Sequence, residues 1–392
     1  MAGHSSQERT TSTVLIIGEF SAVGGTRTYI EHLISFYQKR VQTLVLLGTT
    51  DSDETMAKYA ELHDVTYIPL SELYGHPEPG GAPYFPFKLR SERELLQKFI
   101  ESINPDVVVA SVGTPGKFLG HMGSGRPSIY ILHTYPGTRG KGRFATALRG
   151  FAIFSRLPRG IRFITVSNFS KDRMDRVWGL GFPKNRVRVL YNTAGPILSR
   201  SIKPASGEIV LTLGHVASFK NPESWISIAR KVLAQRPDAK FIWVGPGPLL
   251  NHCQEQVAAA GLGGKILFVG GSSDVWQYYQ EASVYVQTSL VESLGISVLD
   301  SMRHGIPSVV NNIGGLPEVV IDKRTGFVES VNDEHAFAAR IVSLLESAVL
   351  REAMGEAARD LYAAKFSPTS WEKSFDNLHK SWLQRWFARS TQ

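Results

Sequence analysis

Two acidic residues frame a short turn in the second half of the chain. Glu292 and Asp300 are separated by seven residues, which begin with Ser293, Leu294 and Gly295. Apolar residues then recur at helical spacing, so a helix is predicted to begin near Gly295. Backbone N–H groups at such a helix start are free to bind an anion. The stretch predicts an anion-binding turn beside two carboxylates; the alternative is two ordinary helix-start and surface acids, which the helix dipole also favours.

Other candidate ligand groups follow predicted strands. Gly24 and Gly25 come after an apolar run and before a predicted helix, and a turn without Cβ atoms lets backbone N–H groups approach a phosphate. His133 stands at a strand end, where α/β sheets place ligand groups; the alternative is a histidine satisfied by a backbone carbonyl. His215 and Lys220 lie in the loop after the first apolar run of the second half.

These features occur in the order of one known family. The chain resembles the family 4 glycosyltransferases of the GT-B fold, whose signature is E-x7-E. The resemblance covers nearly the whole chain and is carried by Gly24-Gly25, His133, Lys220, Glu292, Asp300 and Gly314-Gly315. In the family the first acid meets the donor sugar and the second holds the nucleotide ribose. Here the second acid is aspartate, which is one methylene shorter.

The resemblance implies a site for a nucleotide sugar. Lys220 would stabilise the negative charge of the leaving diphosphate, and Glu292 and His133 would complete the catalytic set. The family usually has arginine where this chain has His215, so a hydrogen bond is expected there in place of a firm charge; the alternative is a loop histidine without a ligand. The expected donor-binding residues are Gly24, Gly25, His215, Lys220, Glu292, Ser293, Leu294, Gly295, Ile296 and Asp300.

The family retains anomeric configuration. No residue of the sequence is identified as a nucleophile, which favours a front-face substitution in which the leaving phosphate oxygen helps to deprotonate the acceptor. Asp51-Ser52-Asp53 matches the D-x-D pattern of metal-dependent GT-A enzymes, but it follows the second strand of a GT-B-like domain. We therefore expect no metal and no cofactor.

Composition narrows the class of protein. With 392 residues, 43% of them hydrophobic and 20% charged, the chain has the composition of a soluble protein with two large cores. Its one cysteine, Cys253, allows no internal disulfide and fits a reducing cytosol. The polar start and the lack of any long apolar segment predict a cytoplasmic protein that is neither secreted nor transmembrane.

The positive charge is concentrated in one segment. The net charge is +8, and residues 139–162 hold seven basic residues and no acid, interleaved with aromatic and aliphatic residues. This pattern fits peripheral contact with an anionic membrane or a lipid pyrophosphate. The alternative is a solvated basic helix packed on the core. No nucleic-acid-binding module is recognisable.

Alternating apolar runs and helical stretches predict two Rossmann-like, doubly wound α/β domains facing a cleft. We expect a disordered segment at residues 1–12, an acceptor-binding domain at 13–200, a donor-binding domain at 208–368, and a C-terminal helix at 369–392 that crosses back to the first domain, as in the family. The strands predicted for the donor-binding domain are Ile209–Leu213, Lys240–Val244, Ile266–Val269, Val284–Gln287 and Ser308–Val310.

One apolar face is predicted on the C-terminal helix, from Trp371, Phe375, Leu378, Trp382 and Trp386. The face suits packing on a domain, and its basic neighbours would also suit a membrane interface.

Together these observations favour a retaining glycosyltransferase that moves a sugar from a UDP-type or GDP-type donor to a glycan or lipid-linked glycan in cell-surface polysaccharide synthesis. A nucleotide-sugar 2-epimerase shares the two-domain fold but lacks the Glu292–Asp300 motif. A non-catalytic, transferase-like partner subunit is motivated by His215 and Asp300, which replace stronger residues.

Overall fold

The computed structural model describes most of the chain and divides it into two units. The described residues are 13–18, 25–48, 53–69, 72–73, 90–112, 126–135, 161–178, 184–198, 208–331 and 333–390. The first unit comprises residues up to Tyr191 together with those from Glu372 onward, and the second runs from Asn192 to Trp371. Each unit is built on one parallel sheet.

The first unit has a seven-stranded sheet in the order β3-β2-β1-β4-β5-β6-β7. Its strands are β1 Thr13–Gly18, β2 Thr43–Gly48, β3 Thr66–Pro69, β4 Val107–Val112, β5 Ser128–Leu132, β6 Ile161–Thr165 and β7 Val187–Val189. Its helices include α1 Gly25–Gln38, α2 Asp53–Leu62, α3 Arg90–Ile103, α4 Asn168–Trp178 and a 3-10 turn at Lys184–Arg186.

The central strands are nearly continuous apolar runs because helices cover both faces of a parallel sheet. In β1 the residues from Val14 to Ile17 are all buried, and β5 is buried along its whole length. The edge strand β3 is only half-buried. The predicted parallel arrangement of this half of the chain is therefore confirmed.

The second unit has a six-stranded parallel sheet in the order β10-β9-β8-β11-β12-β13. Its strands are β8 Ile209–Leu213, β9 Lys240–Val244, β10 Ile266–Gly270, β11 Val284–Gln287, β12 Ser308–Asn311 and β13 Gly326–Glu329. Its helical elements are a 3-10 turn at Ser218–Lys220, α5 Pro222–Leu233, α6 Leu250–Ala259, α7 Trp276–Glu281, α8 Ile296–Arg303, α9 Leu316–Val319, α10 Glu334–Glu346, α11 Ala348–Leu361 and a π-helix at Tyr362–Phe366.

Strand β13 is absent from the strands predicted for this half. It is four residues long and begins at Gly326, which has φ +153°. A Cβ at this position would meet the carbonyl oxygen of Ser308, so the glycine allows close pairing with β12. A short strand that opens on a glycine carries little hydrophobic pattern, which explains why it was missed.

Aromatic side chains fill the core of the second unit. Trp225, Phe241, Trp243 and Phe268 are buried and pack edge-to-face or stacked. Trp225 Nε1 also donates to Thr212 Oγ1 at 2.8 Å, so its one polar atom is satisfied inside the core. This core holds α5 against β8 and β9. It thereby also fixes the position of the loop that follows β8.

The last helix, α12 Pro368–Ser390, carries the predicted apolar stripe. Trp371, Phe375 and Trp382 are buried. In the first unit, Phe375 packs against Phe36 with ring centroids 4.8 Å apart. The side chain of Trp386 lies outside the described residues. No helix in the described ranges is both long and apolar enough to cross a membrane, and residues 139–160 of the basic segment are not among them.

Two buried histidines make acid stability a testable property. Burial lowers the pKa of His133 and of His304 to about 4. The folded state therefore binds fewer protons than the unfolded state below pH ~6.5, and stability falls as the pH drops from there towards 4. For a pKa shift of this size, each histidine lowers the free energy of unfolding by about 2 kcal/mol between pH 7 and pH 4.5.

We expect His304→Phe to flatten this pH dependence. Phenylalanine keeps the stacking on Tyr279 and the edge-to-face contact with Trp276 but cannot take up a proton. Denaturant unfolding at pH 7 and pH 4.5 measures the change. His252→Phe is the control, because its side chain is 61% exposed. An unchanged pH dependence in His304→Phe would show that His304 does not contribute to the loss of stability.

Candidate functional site

The topology of the second sheet brings two loops together. Strand β8 lies between β9 and β11, so the loops after β8 and β11 leave neighbouring strands at the carboxyl edge of the sheet, where open α/β sheets bind ligands. The backbone N–H of Leu290 donates to the carbonyl of Phe219 at 2.8 Å. Thr288 Oγ1 donates to the carbonyl of Lys220 at 3.0 Å. The two loops therefore form one continuous surface.

Lys220 and Glu292 meet on this surface. Lys220 Nζ lies 2.5 Å from Glu292 Oε2, and each side chain is 15% exposed. Partial burial strengthens this charge pair relative to one in open solvent. A positive and a negative group are thus held side by side at the sheet edge, open enough for a ligand to reach them.

The Gly314-Gly315 pair supports Glu292 from behind. A Cβ at Gly314 would lie 1.8 Å from the carbonyl oxygen of Glu292, and Gly314 has φ +62°. The N–H of Gly315 donates to that same oxygen at 3.2 Å. Any other residue at position 314 would force the acid-bearing loop outward, so these glycines have a structural role in placing Glu292.

The helix start that follows Glu292 has the predicted form. Gly295 has φ +101° and directly precedes α8, which begins at Ile296. Leu294 is buried in the core, so it offers a ligand only its backbone. The backbone N–H groups of the first turn of α8 are the groups that this turn can present to an anion.

Gln287 is a polar residue of the site that sequence reasoning missed. It is buried at the end of β11. Its Oε1 accepts from the Tyr285 hydroxyl at 2.9 Å, and its Nε2 donates to Ser289 Oγ at 2.6 Å and to Glu292 Oε2 at 3.3 Å. The signal available in the sequence was a glutamine at the end of an otherwise apolar strand. Gln287 connects the Glu292 carboxylate to the interior of the sheet.

We expect Gln287→Met to misplace Glu292 without unfolding the chain. Methionine fills a similar volume, but Glu292 and Tyr285 each lose a hydrogen bond. The sugar transfer that the family resemblance implies, followed as release of nucleoside diphosphate, should slow by about tenfold or more, since small displacements of reacting groups are costly. Donor affinity should change less than the rate. Gln254→Met is the control, because Gln254 Nε2 donates to the carbonyl of Phe268, which is not part of this loop; equal rates in both variants would contradict the positioning role.

The loop after β8 is shaped by glycines. Gly214 has φ +143°, and a Cβ there would lie 3.6 Å from Lys220 Cε. Gly245, at the end of the neighbouring strand β9, packs directly on the Gly214 carbonyl. His215 follows Gly214 and its side chain is exposed. Lys220 is thus the charged side chain that this loop can offer a ligand.

Asp300 lies on α8 and is paired within its own helix. Its Oδ1 accepts from Arg303 Nε at 2.7 Å. Burial raises the pKa of Asp300 to about 6, and the neighbouring Arg303 only partly offsets that rise. The carboxylate is therefore ionised at neutral pH and loses its charge near pH 6. Arg303 was not among the predicted site residues.

In the first unit His133 follows β5 and is buried. Its Nε2 lies 2.9 Å from Ser111 Oγ at the end of β4, and its ring packs edge-to-face on Tyr29. Within the described residues its Nδ1 has no hydrogen-bond partner. Because burial lowers the pKa of His133 to about 4, the ring is neutral at physiological pH. Ser111, which orients this ring, was not predicted.

Two other predicted groups, the glycine pair and the D-x-D pattern, are only partly covered by the described residues. Gly24 lies outside them, and Gly25 is the first residue of α1. Of the D-x-D pattern only Asp53 is described, at the start of α2. Across the described ranges no group of three or more His, Cys, Asp or Glu residues is arranged to hold a metal ion.

Comparison with known sequences assigns the family. Residues 197–361 match the profile described as "Glycosyl transferases group 1", and residues 23–194 match "Glycosyltransferase Family 4". The chain therefore belongs to the GT4-type glycosyltransferases, which confirms the resemblance noted from the motifs.

Solved structures agree on the fold. The Anabaena protein HepE, in complex with UDP and glucose, superposes with a TM-score of 0.75 at 18% identity, covering 94% of this chain and 100% of HepE. At this identity the likeness shows the fold alone, which is the two-domain α/β GT-B fold expected from the sequence.

Curated relatives match parts of the chain. The Vi polysaccharide biosynthesis protein VipC/TviE of Salmonella typhi is 32% identical over 145 residues, covering 35% of this chain and 25% of that protein. N-acetyl-alpha-D-glucosaminyl L-malate synthase of Bacillus anthracis is 25% identical over 174 residues, covering 44% of this chain and 45% of the relative. The chain thus matches less than half the length of either relative.

Proposed function

We propose that the protein transfers a sugar, with retention of configuration, from a nucleoside diphosphate sugar to a glycan or lipid-linked glycan acceptor in polysaccharide synthesis. The observation that carries the proposal is the Lys220–Glu292 pair, held at 2.5 Å at the carboxyl edge of the second sheet. The position is the one at which open α/β sheets bind nucleotides. The ligands named for HepE, UDP and glucose, agree with a nucleoside diphosphate sugar as donor. The name of the Salmonella relative agrees with a role in polysaccharide synthesis.

Each part of the site has a role in this reaction. Lys220, in the glycine-shaped loop after β8, stabilises the negative charge that develops on the diphosphate as the bond from C1 to oxygen breaks. Glu292 accepts hydrogen bonds from the donor sugar hydroxyls. Asp300 binds the ribose, and His215 donates a hydrogen bond in place of arginine's fixed charge.

Retention follows from a front-face substitution. The acceptor hydroxyl attacks C1 from the side that the phosphate leaves, and the leaving phosphate oxygen takes the acceptor's proton. Neither Lys220 nor Glu292 is assigned as a nucleophile, since both are engaged with each other and with the donor. His133 is neutral because burial lowers its pKa to about 4, so its proposed role in the catalytic set is that of a hydrogen-bond partner and not of a charge.

A thermal-shift panel tests the proposal. The chain is heated with UDP, GDP, ADP, CMP and dTDP and their common sugar conjugates, with and without EDTA. A ligand that binds only the folded state raises the unfolding temperature by mass action. We expect UDP or GDP and its sugar conjugates to stabilise the chain equally well in EDTA. No stabilisation at millimolar concentration would favour the non-catalytic partner subunit, and loss of stabilisation in EDTA would show a metal requirement.

A further inference from the structure

Ser111 and His133 lie at the carboxyl edge of the first sheet, beside the point where the strand order reverses. The chain runs outward from β1 to β3 and then returns to β4 on the other side of β1, and open α/β sheets bind ligands at such a point. Ser111 belongs to β4, and His133 directly follows β5. Tyr29, on the helix that follows β1, packs edge-to-face on the His133 ring with centroids 4.9 Å apart. Elements from both sides of the reversal therefore hold this ring.

The Ser111 hydroxyl engages one nitrogen of the ring. Its Oγ lies 2.9 Å from His133 Nε2, and both residues are buried. In the part of the chain that the structure describes, this oxygen has no second hydrogen-bond partner. The other ring nitrogen, Nδ1, is buried and has no partner among the described residues either. The hydrogens of this pair therefore have to be placed by considering the two residues alone.

Two arrangements of the hydrogens are open to the pair. Because burial lowers the pKa of His133 to about 4, the ring carries a single N–H at neutral pH. If Nε2 carries the hydrogen and donates to Ser111, the serine hydrogen has no acceptor and the Nδ1 lone pair has no donor. If Ser111 donates to Nε2, only the Nδ1 hydrogen is left without a partner. Unpaired buried polar groups are costly, so the second arrangement is favoured.

We propose that Ser111 is a positioning residue: by donating to Nε2 it fixes the hydrogen of His133 on Nδ1, so that the ring donates a hydrogen bond to an oxygen of the sugar substrate. The inference rests on the proposed function, because it requires a sugar substrate at this edge of the sheet. A buried N–H in a native structure needs an acceptor, and a hydroxyl oxygen of the substrate supplies one.

The direction of these hydrogen bonds decides what His133 can do. The lone pair that a general base needs is on Nε2, where Ser111 engages it. His133 therefore orients the substrate and does not remove a proton from it. This role agrees with the proposed front-face substitution, in which the leaving phosphate oxygen takes the proton of the acceptor.

Nitrogen NMR of the chain, with its histidines labelled with nitrogen-15, tests the inference directly. Couplings between the ring protons and the ring nitrogens distinguish a protonated nitrogen from an unprotonated one, and the signal that disappears in His133→Phe belongs to His133. At pH 7.5 we expect the hydrogen of His133 on Nδ1. Saturation with the nucleotide sugar that most stabilises the chain should shift this Nδ1 signal.

Variants of Ser111 show whether the serine sets the arrangement. Ser111→Ala should populate both tautomers of His133 and lower kcat/KM for sugar transfer by about tenfold, as for the loss of one hydrogen bond. Ser111→Thr and Ser111→Val are a matched pair of similar shape, of which only threonine has the hydroxyl. Threonine should keep the hydrogen on Nδ1 and transfer faster than valine by about the same factor. Ser170→Ala is the control for a buried serine of the same unit, because Ser170 is bonded to Ser167; it should leave the His133 signal unchanged.

The outcomes distinguish failure of the inference from failure of the proposed function. If wild-type His133 carries its hydrogen on Nε2, or if its Nδ1 signal does not move at saturating nucleotide sugar, the inference fails while the proposed function stands. If the threonine and valine variants lose transfer equally, the serine is merely structural and the inference fails. If no nucleotide sugar binds, the proposed function fails, and the inference fails with it.

Discussion

Replacing Glu292 by glutamine should reduce sugar transfer by about a thousandfold or more while leaving the fold intact. The substitution keeps the size of the side chain but removes the charge that pairs with Lys220 at 2.5 Å. The amide also donates where the carboxylate accepts, so donor hydroxyls lose their acceptor. Because the loop backbone is held by Gly314 and Gly315, the loss should be chemical and not structural.

The measurement is the initial rate of nucleoside diphosphate release, with unfolding followed in parallel. Glu334→Gln is the matched control, because Glu334 pairs with Lys231 at 3.4 Å in the same unit. We expect the control to transfer at the wild-type rate. Transfer by Glu292→Gln within about tenfold of wild type would exclude Glu292 from the catalytic set.

Replacing Lys220 by methionine should have the second largest effect, and the effect should depend on the phosphates. Lys220 is the one charged side chain in the loop 214–220. Methionine keeps the apolar stem but removes the ammonium group. Affinity for a nucleoside diphosphate should fall by about a hundredfold, which matches the loss of a charge-assisted bond together with the unpairing of Glu292. Affinity for the corresponding nucleoside, which has no phosphate, should change by less than about threefold.

Calorimetric titration with UDP or GDP, and with uridine or guanosine, measures this difference. Lys231→Met provides the control for a lysine in an ion pair away from the site. If the nucleoside and the nucleoside diphosphate lose affinity equally, Lys220 supports the shape of the loop and does not bind the diphosphate. The double variant with Glu292→Gln should lose less affinity than the two single losses added, because the residues are in direct contact.

Much of the fold was predictable because parallel strands are continuous apolar runs. Strands such as Ile209–Leu213 and Lys240–Val244 begin and end where the pattern predicted. The pairing of Lys220 with Glu292 was not stated beforehand. It follows from the order of the strands, because β8 and β11 are neighbours in the sheet although 70 residues separate the end of β8 from the start of β11.

The supporting residues were harder to predict for physical reasons. Arg303 stands three positions after Asp300, a spacing at which helix side chains meet, but whether such a pair is solvated or buried depends on tertiary packing. Gln287 occupies a position where a strand residue is ordinarily apolar, and two of its hydrogen bonds run to side chains of the following loop. Ser111 reaches His133 from the adjacent strand, so their contact depends on sheet register.

A crystal structure of the chain with the nucleoside diphosphate that stabilises it most would show whether Lys220 and Glu292 form the donor site. We expect the diphosphate against the glycine-shaped loop after β8, within hydrogen-bond distance of Lys220 Nζ, and the ribose at Asp300. A nucleotide bound elsewhere, with Lys220 and Glu292 still paired and free of ligand, would contradict it.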